Sequence, residues 1–226
     1  MNITVIENVM KLNDEVAASN RAKFERAGLL VIDVLGAPGC GKTSLIEHTI
    51  QRLIPELRIG VIVGDLATQR DAQRMARFTP NVVQVNTGKT CHLEANHVAR
   101  AIDKLDLGAI DLLFIENVGN LICPVGFDLG QHVKVGVFSV TGGDDKAAKH
   151  PYIVCESSLL LLNKTDLLNV VPFDIELFRD DVRRLKPDSR MIELSALTGA
   201  GTDAWINWLR ELRGVIPARG TAMMSL

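Results

Sequence analysis

The segment Gly36-Ala37-Pro38-Gly39-Cys40-Gly41-Lys42-Thr43, with Ser44 beside it, fits the pattern G-x-x-x-x-G-K-[ST]. The chemistry of such a loop is electrostatic. Its glycines let successive backbone N–H groups turn inward around phosphate oxygens, and the helix that follows adds partial positive charge at its N-terminus. Lys42 is expected to reach the β- and γ-phosphates, and the Thr43 hydroxyl to take a position on Mg²⁺. Cys40, inside the loop, reads as a small filler.

Asn163-Lys164-Thr165-Asp166 supplies the second half of a nucleotide site. The Asp166 carboxylate can accept from both guanine N1–H and N2–H, a pair of donors that adenine lacks. Asn163 would brace the loop and contact the base edge, while the Lys164 stem lies over the ring. Ser195-Ala196-Leu197 then offers a backbone N–H to the base carbonyl. With a phosphate loop upstream, these residues read as a GTPase rather than an ATPase or a kinase.

Phosphoryl transfer to water needs Mg²⁺ and an oriented water more than covalent chemistry. Asp65 ends one apolar run, with Thr68 and Asp71 shortly after it; Glu116 ends another, with Gly119 three residues on. Asp65 and Asp71 are candidates to order Mg²⁺ or the attacking water. Glu116 is a candidate outer-sphere ligand or water-orienting base. Helix capping or solvated surface is the plainer reading of each, and the sequence leaves open which of the three orients water.

A further cluster has different donors. Cys91-His92 is expected to open a helix, and Cys123 follows the Glu116–Gly119 segment. Two thiolates and an imidazole suit Ni²⁺ or Zn²⁺ rather than Mg²⁺. Three ligands leave a position open for exchange or for a second copy of the chain. By spacing alone, two scattered cysteines and one histidine are more often structural. His97 falls off the face of His92, and Cys155, between aliphatic residues, is expected to be buried.

These residues need a scaffold that gathers loops at one edge. Short apolar runs at 29–35, 59–63, 82–85, 111–115, 133–140, 158–162 and 191–194 read as strands. Helical stretches at 43–53, 69–78, 92–105, 173–185 and 203–212 lie between them. The alternation predicts an α/β P-loop NTPase fold: a doubly wound, mostly parallel sheet with helices on both faces. Residues 1–28 read as an N-terminal helix packed on the domain, through Val5, Ile6, Val9, Met10, Leu12 and Val16. Residues 29–214 form the GTPase domain with the embedded Cys/His site, and 215–226 a frayed tail.

Composition excludes several classes. With 47% apolar and 23% charged residues, the 226-residue chain is neither disordered nor collagen-like. Lys plus Arg total 25 against 27 acidic residues, a net charge of −2, which argues against nucleic-acid partners. No apolar stretch approaches the ~20 residues of a membrane span, and the first residues lack a secretion signal. Four widely spaced cysteines do not make a disulfide framework. A cytoplasmic protein is expected.

Taken in order, the phosphate loop, Gly64-Asp65, Thr87-Gly88 with Cys91-His92-Leu93, Glu116-Asn117-Val118-Gly119-Asn120-Leu121-Ile122-Cys123-Pro124, Asp144-Asp145-Lys146 and Asn163–Asp166 resemble the HypB family, GTPases for nickel incorporation into [NiFe]-hydrogenase. The resemblance covers about residues 5–212. It implies a GTP-dependent homodimer whose interface carries a metal site at Cys91, His92 and Cys123. It further implies nickel delivery to the hydrogenase large-subunit precursor, with a HypA-type nickel-binding partner. The chain has neither the Cys-rich nickel motif nor the His-rich stretch of some members. It carries Gly142-Gly143 where others have Glu-Gly, and Cys40 where Ser or Ala is usual. The competing readings are a GTPase maturing urease or another nickel enzyme, and a metal-buffering protein with vestigial GTPase activity.

Overall fold

A computed structural model describes residues 10–65 and 69–216. Seven strands, β1 (Leu30–Gly36), β2 (Ile59–Asp65), β3 (Val82–Asn86), β4 (Leu112–Glu116), β5 (Val133–Ser139), β6 (Leu159–Asn163) and β7 (Met191–Glu193), form one sheet in the order β3-β2-β4-β1-β5-β6-β7. Every pairing between them is parallel. The strands are apolar on both sides because helices cover both faces. Leu30, Ile32 and Val34 of β1 face α2 (Lys42–Leu53) and α8 (Thr202–Val215), where Trp205, Ile206 and Leu209 complete the layer. Val31, with Leu113 and Ile115 of β4, packs on the opposite side with Phe24, Val98 and Ile102. These come from α1 (Lys11–Arg26) and α4 (Ala95–Ile102).

This topology brings strand ends together. Glu116 pairs with Val34 on one side and Val63 on the other, so the β4 carboxylate emerges between the phosphate loop after β1 and Asp65 at the end of β2. A sheet of parallel strands places its loops for ligands at this carboxyl edge.

Several local expectations change. Val5, Ile6, Val9 and Thr68 lie outside the described residues, as do 217–226. In α1 the buried face is Ala17, Asn20 and Phe24, while Leu12 is exposed. Phe24 and Ala17 seat this helix together with hydrogen bonds: Asn20 Nδ2 donates to the carbonyls of Ala95 (2.9 Å) and Leu129 (3.1 Å), and Asn13 Oδ1 accepts from Ala95 N–H (2.9 Å). Helix α4 starts only at Ala95. Glu94 and His97 form a reciprocal capping box there, leaving Cys91 and His92 in the preceding loop. Helix α3 is shorter than expected (Arg70–Met75), and α8 is longer.

Two helices not read from the sequence, α5 (Lys146–Lys149) and α6 (Pro151–Glu156), cross between β5 and β6, ahead of α7 (Ile175–Leu185). Each has too few turns to display a period. On α6, Ile153 and Val154 face inward, so Cys155 is exposed instead of buried. No described helix is long and apolar enough to cross a membrane.

Candidate functional site

Strand β1 ends at Gly36, and the loop turns through Gly39 (φ +72°) and Gly41 (φ +96°) into α2. A Cβ on Gly41 would stand 2.4 Å from Asn163 Nδ2, so both backbone and space require glycine there. Lys42 is 7% exposed, and its Nζ donates to the carbonyls of Gly36 (3.2 Å) and Ala37 (3.3 Å). Cys40 is buried, as a filler should be, and burial pushes its thiol pKa up. A cleft of about 480 Å³ opens over the loop. It gathers Pro38, Gly39, Gly41, Lys42, Thr43, Ser44, Asp65, Asp71, Glu116, Gly119 and Lys164 from the sequence expectations.

At the floor of this cleft Thr43 Oγ1 donates to Glu116 Oε1 at 2.7 Å. The other carboxylate oxygen, Oε2, is buried without a hydrogen-bond partner. Burial raises the Glu116 pKa from 4.5 to about 7, against the Thr43 hydrogen bond and the Lys42 charge, which lower it. An unpartnered buried oxygen beside a hydroxyl and Asp65 makes a donor set of hard oxygens, which fits Mg²⁺. Asp71 pairs with Arg74 Nη1 at 3.5 Å. Arg74 escaped the sequence reading. It lines the same cleft, holds Glu47 and donates from Nη2 to Ser44 Oγ at 3.1 Å. One arginine on a short helix between Asp71 and the core carries no motif.

Asn163 joins the two halves of the nucleotide site. Its Nδ2 donates to the Cys40 carbonyl (2.9 Å), while its Oδ1 accepts from Lys164 N–H (2.8 Å) and Ala196 N–H (3.0 Å). The Ala196 amide is thus engaged by Asn163 instead of standing free for a base. Leu197, beside it, is 85% exposed, and Ser195 is fully buried. Lys164 takes the left-handed conformation (φ +63°) that turns the chain after β6, and its Nζ reaches Thr141 Oγ1 at 3.2 Å. Asp166 is exposed in the turn that follows.

The Cys/His donors are gathered less completely. Cys91 and Cys123 lie side by side, and the Cys123 thiol is the main cause that raises the Cys91 pKa. Cys91 Sγ is 3.8 Å from His92 Nδ1. The His92 ring stacks on Phe127 with centroids 4.0 Å apart, and its Nε2 lies 3.7 Å from Glu94 Oε1. Burial lowers the His92 pKa and favours the neutral imidazole that can ligate. Among the described residues, no group of three or more His, Cys, Asp or Glu side chains converges as a metal cage. Asn120 ties this loop to the phosphate loop. Its N–H donates to the Gly36 carbonyl (3.0 Å), and its Oδ1 accepts from Ile122 N–H (2.8 Å) and Cys123 N–H (3.3 Å).

Residues 30–193 match the family model described as CobW/HypB/UreG, nucleotide-binding domain. Hydrogenase maturation factor HypB of Azotobacter chroococcum mcd 1 is 44% identical over 212 residues, covering 94% of this chain and 70% of the relative. The crystal structure of hydrogenase maturation factor HypB from Archaeoglobus fulgidus superimposes with a TM-score of 0.84 at 40% identity, covering 90% of this chain and 99% of that one. That of HypB from Helicobacter pylori in complex with nickel gives a TM-score of 0.86 at 32% identity, covering 90% and 95%.

Proposed function

Because the chain belongs to the HypB family of hydrogenase maturation factors, within the CobW/HypB/UreG nucleotide-binding domains, we propose that it is a GTP-hydrolysing nickel metallochaperone. The observation that carries the nucleotide half is Asn163, which bonds the phosphate loop and Lys164 at once. This juxtaposes a triphosphate cradle with a guanine-reading carboxylate at Asp166. Loop N–H groups and Lys42 bind the phosphates. Asp166 accepts from the guanine edge.

Thr43 and Asp65 would hold Mg²⁺, which when bound supplies neutralising charge at the β- and γ-phosphate oxygens. Glu116, buried with one free oxygen, orients the attacking water and takes up its proton. Asp71 and Arg74 line the cleft beside Ser44, and Arg74 adds positive charge there.

The metal cargo is Ni²⁺ or Zn²⁺ on the Cys91 and Cys123 thiolates and the His92 imidazole. One chain presents two adjacent thiols and a stacked imidazole, which supports a site completed by a second copy in a GTP-dependent homodimer. Nickel then passes to the hydrogenase large-subunit precursor, with a HypA-type accessory partner, in the cytoplasm. Two assays on the purified protein test this. Hydrolysis should be found with GTP and not ATP, and should be lost in Lys42→Ala. Ni²⁺ titration with GDP and with a non-hydrolysable GTP analogue, each followed by size-exclusion chromatography, should show nucleotide-dependent affinity and dimerisation that disappear in Cys91→Ala or Cys123→Ala. Nickel binding indifferent to nucleotide would leave a GTPase with an adjacent structural metal.

A further inference from the structure

We propose that Asn117 is the positioning residue through which the nucleotide cleft and the Cys91-His92 loop sense each other. The inference rests on the GTP-controlled metal binding proposed above and names the contact that transmits it. Asn117 is the first residue after β4, next to Glu116, and is 1% exposed. Its side chain bridges three elements. Oδ1 accepts from Leu93 N–H (3.1 Å) and Val118 N–H (3.0 Å), while Nδ2 donates to Asp33 Oδ1 on β1 (3.1 Å). Its own backbone N–H donates to the Val34 carbonyl (3.1 Å).

Leu93 adjoins His92, so this hydrogen bond pins the Cys91-His92 loop one residue from a proposed ligand. The Leu93 side chain is fully buried against β2; a Cβ on Gly64 would meet Leu93 Cδ1 and Cγ at 2.9 Å. The loop is therefore seated on the two strand ends that carry Asp65 and Glu116. On the other side of Asn117, a Cβ on Gly119 would lie 2.9 Å from Pro38 Cα in the phosphate loop. A phosphate that moves Val118 and Gly119 must move Asn117 Oδ1, which accepts from Val118 N–H, or break its bond to Leu93. Breaking it in a buried site leaves the Leu93 N–H without its acceptor, so the loop follows.

The test uses the full-length protein and two ratios. One is the Ni²⁺ dissociation constant with GDP against that with a non-hydrolysable GTP analogue. The other is the analogue's dissociation constant without Ni²⁺ over that with Ni²⁺, divided by the same quotient for GDP. Coupling between sites is reciprocal, so both ratios equal the same factor in the wild type. Asn117→Leu, which fills the space and removes both polar groups, should bring both ratios to within twofold of one. The exchange Asp33→Asn with Asn117→Asp restores a donor on β1 and an acceptor facing Leu93, and should recover the wild-type factor to within about threefold. A folded Asn117→Leu that keeps the wild-type factor, or an exchanged pair that fails to recover it, overturns the role of Asn117 while GTP control stands. Wild-type ratios near one would instead defeat the parent reading, and this one with it. If Asn117→Leu does not fold, amide hydrogen exchange in the wild type decides. Leu93 N–H should change its rate at least tenfold between the two nucleotides, and an unchanged rate overturns the proposal.

Discussion

Replacing Asp33 by Asn isolates a charge that the fold holds at a disadvantage. Asp33 is fully buried on β1, with one oxygen accepting from Asn117 and the other, Oδ2, without a hydrogen-bond partner. Burial raises its pKa from 3.8 to about 7; the Asn117 hydrogen bond and Lys134 oppose the rise, and Asp128 adds to it. The folded state then keeps a proton that the unfolded chain has already released, so stability falls as pH rises through this window and levels off above about 7. At about 1.4 kcal/mol per pKa unit, the wild type loses about 3 kcal/mol through Asp33 between pH 5 and pH 8.

Asn preserves the acceptor facing Asn117 and removes the charge. It leaves an unpaired amide nitrogen in place of Oδ2, a penalty of about 1–3 kcal/mol that does not vary with pH. The stability difference between Asp33→Asn and the wild type should therefore swing by about 3 kcal/mol toward the variant from pH 5 to pH 8. Glu116, also raised to about 7, loses stability in the same direction in both proteins and cancels from the difference. Urea unfolding of the nucleotide-free, chelator-treated protein at the two pH values measures it. A swing under about 1 kcal/mol would refute the assignment of the penalty to buried charge at Asp33.

Three further outcomes are expected. Asp166→Asn replaces an acceptor by a donor at the guanine edge, so GTP affinity should fall about 100-fold; xanthosine triphosphate, with oxygen at C2, should regain most of it in competition binding. Gly41→Ala puts a Cβ 2.4 Å from Asn163 Nδ2 at φ +96°. It should lower stability by about 2 kcal/mol and abolish binding of a fluorescent GDP analogue, both measurable on one preparation. Nickel affinity should fall about tenfold per pH unit below pH 8 for each thiol that must release its proton. Cys91, whose pKa its Cys123 neighbour raises, is expected to supply one such factor, and chelator competition at pH 8 and pH 6 reads it.

The sheet was legible because parallel strands covered on both faces must be continuous apolar runs, and all seven were found within a few residues. The turns at Gly36–Thr43 and after β6 were legible because their backbone geometry demands particular residues, as the crowding of Gly41 by Asn163 illustrates. Helix α1 was read as packed on the domain, but its buried face was misjudged because its seat depends on Asn13 and Asn20, whose side-chain hydrogen bonds join residues far apart in sequence. The start of α4 was placed too early because His97 acts as a cap, which spacing cannot distinguish from an exposed histidine. Arg74 and the bridging role of Asn117 depend on which strands become neighbours. Asp33 meets Asn117 only because β4 lies between β2 and β1.

That strand order also explains how one short segment can serve both proposed sites. Glu116 to Cys123 leaves β4 at the centre of the sheet, touches the phosphate loop at Gly119 and Asn120, and ends at the thiol beside Cys91. Asn117 holds the loop of Cys91 and His92 to its start, and Asn120 holds the backbone of Cys123 near its end. The cysteines therefore sit on two loops that are hydrogen-bonded to the same strand exit. A change at the phosphates that shifts this exit alters the spacing of the thiols without any hinge between domains. If the thiolates hold nickel as proposed, small shifts at Gly119 would tune affinity through the distance between them. The same reasoning predicts that Asn120→Ala, which frees the Cys123 backbone while leaving the Leu93 contact in place, weakens nickel binding with either nucleotide and changes their ratio little.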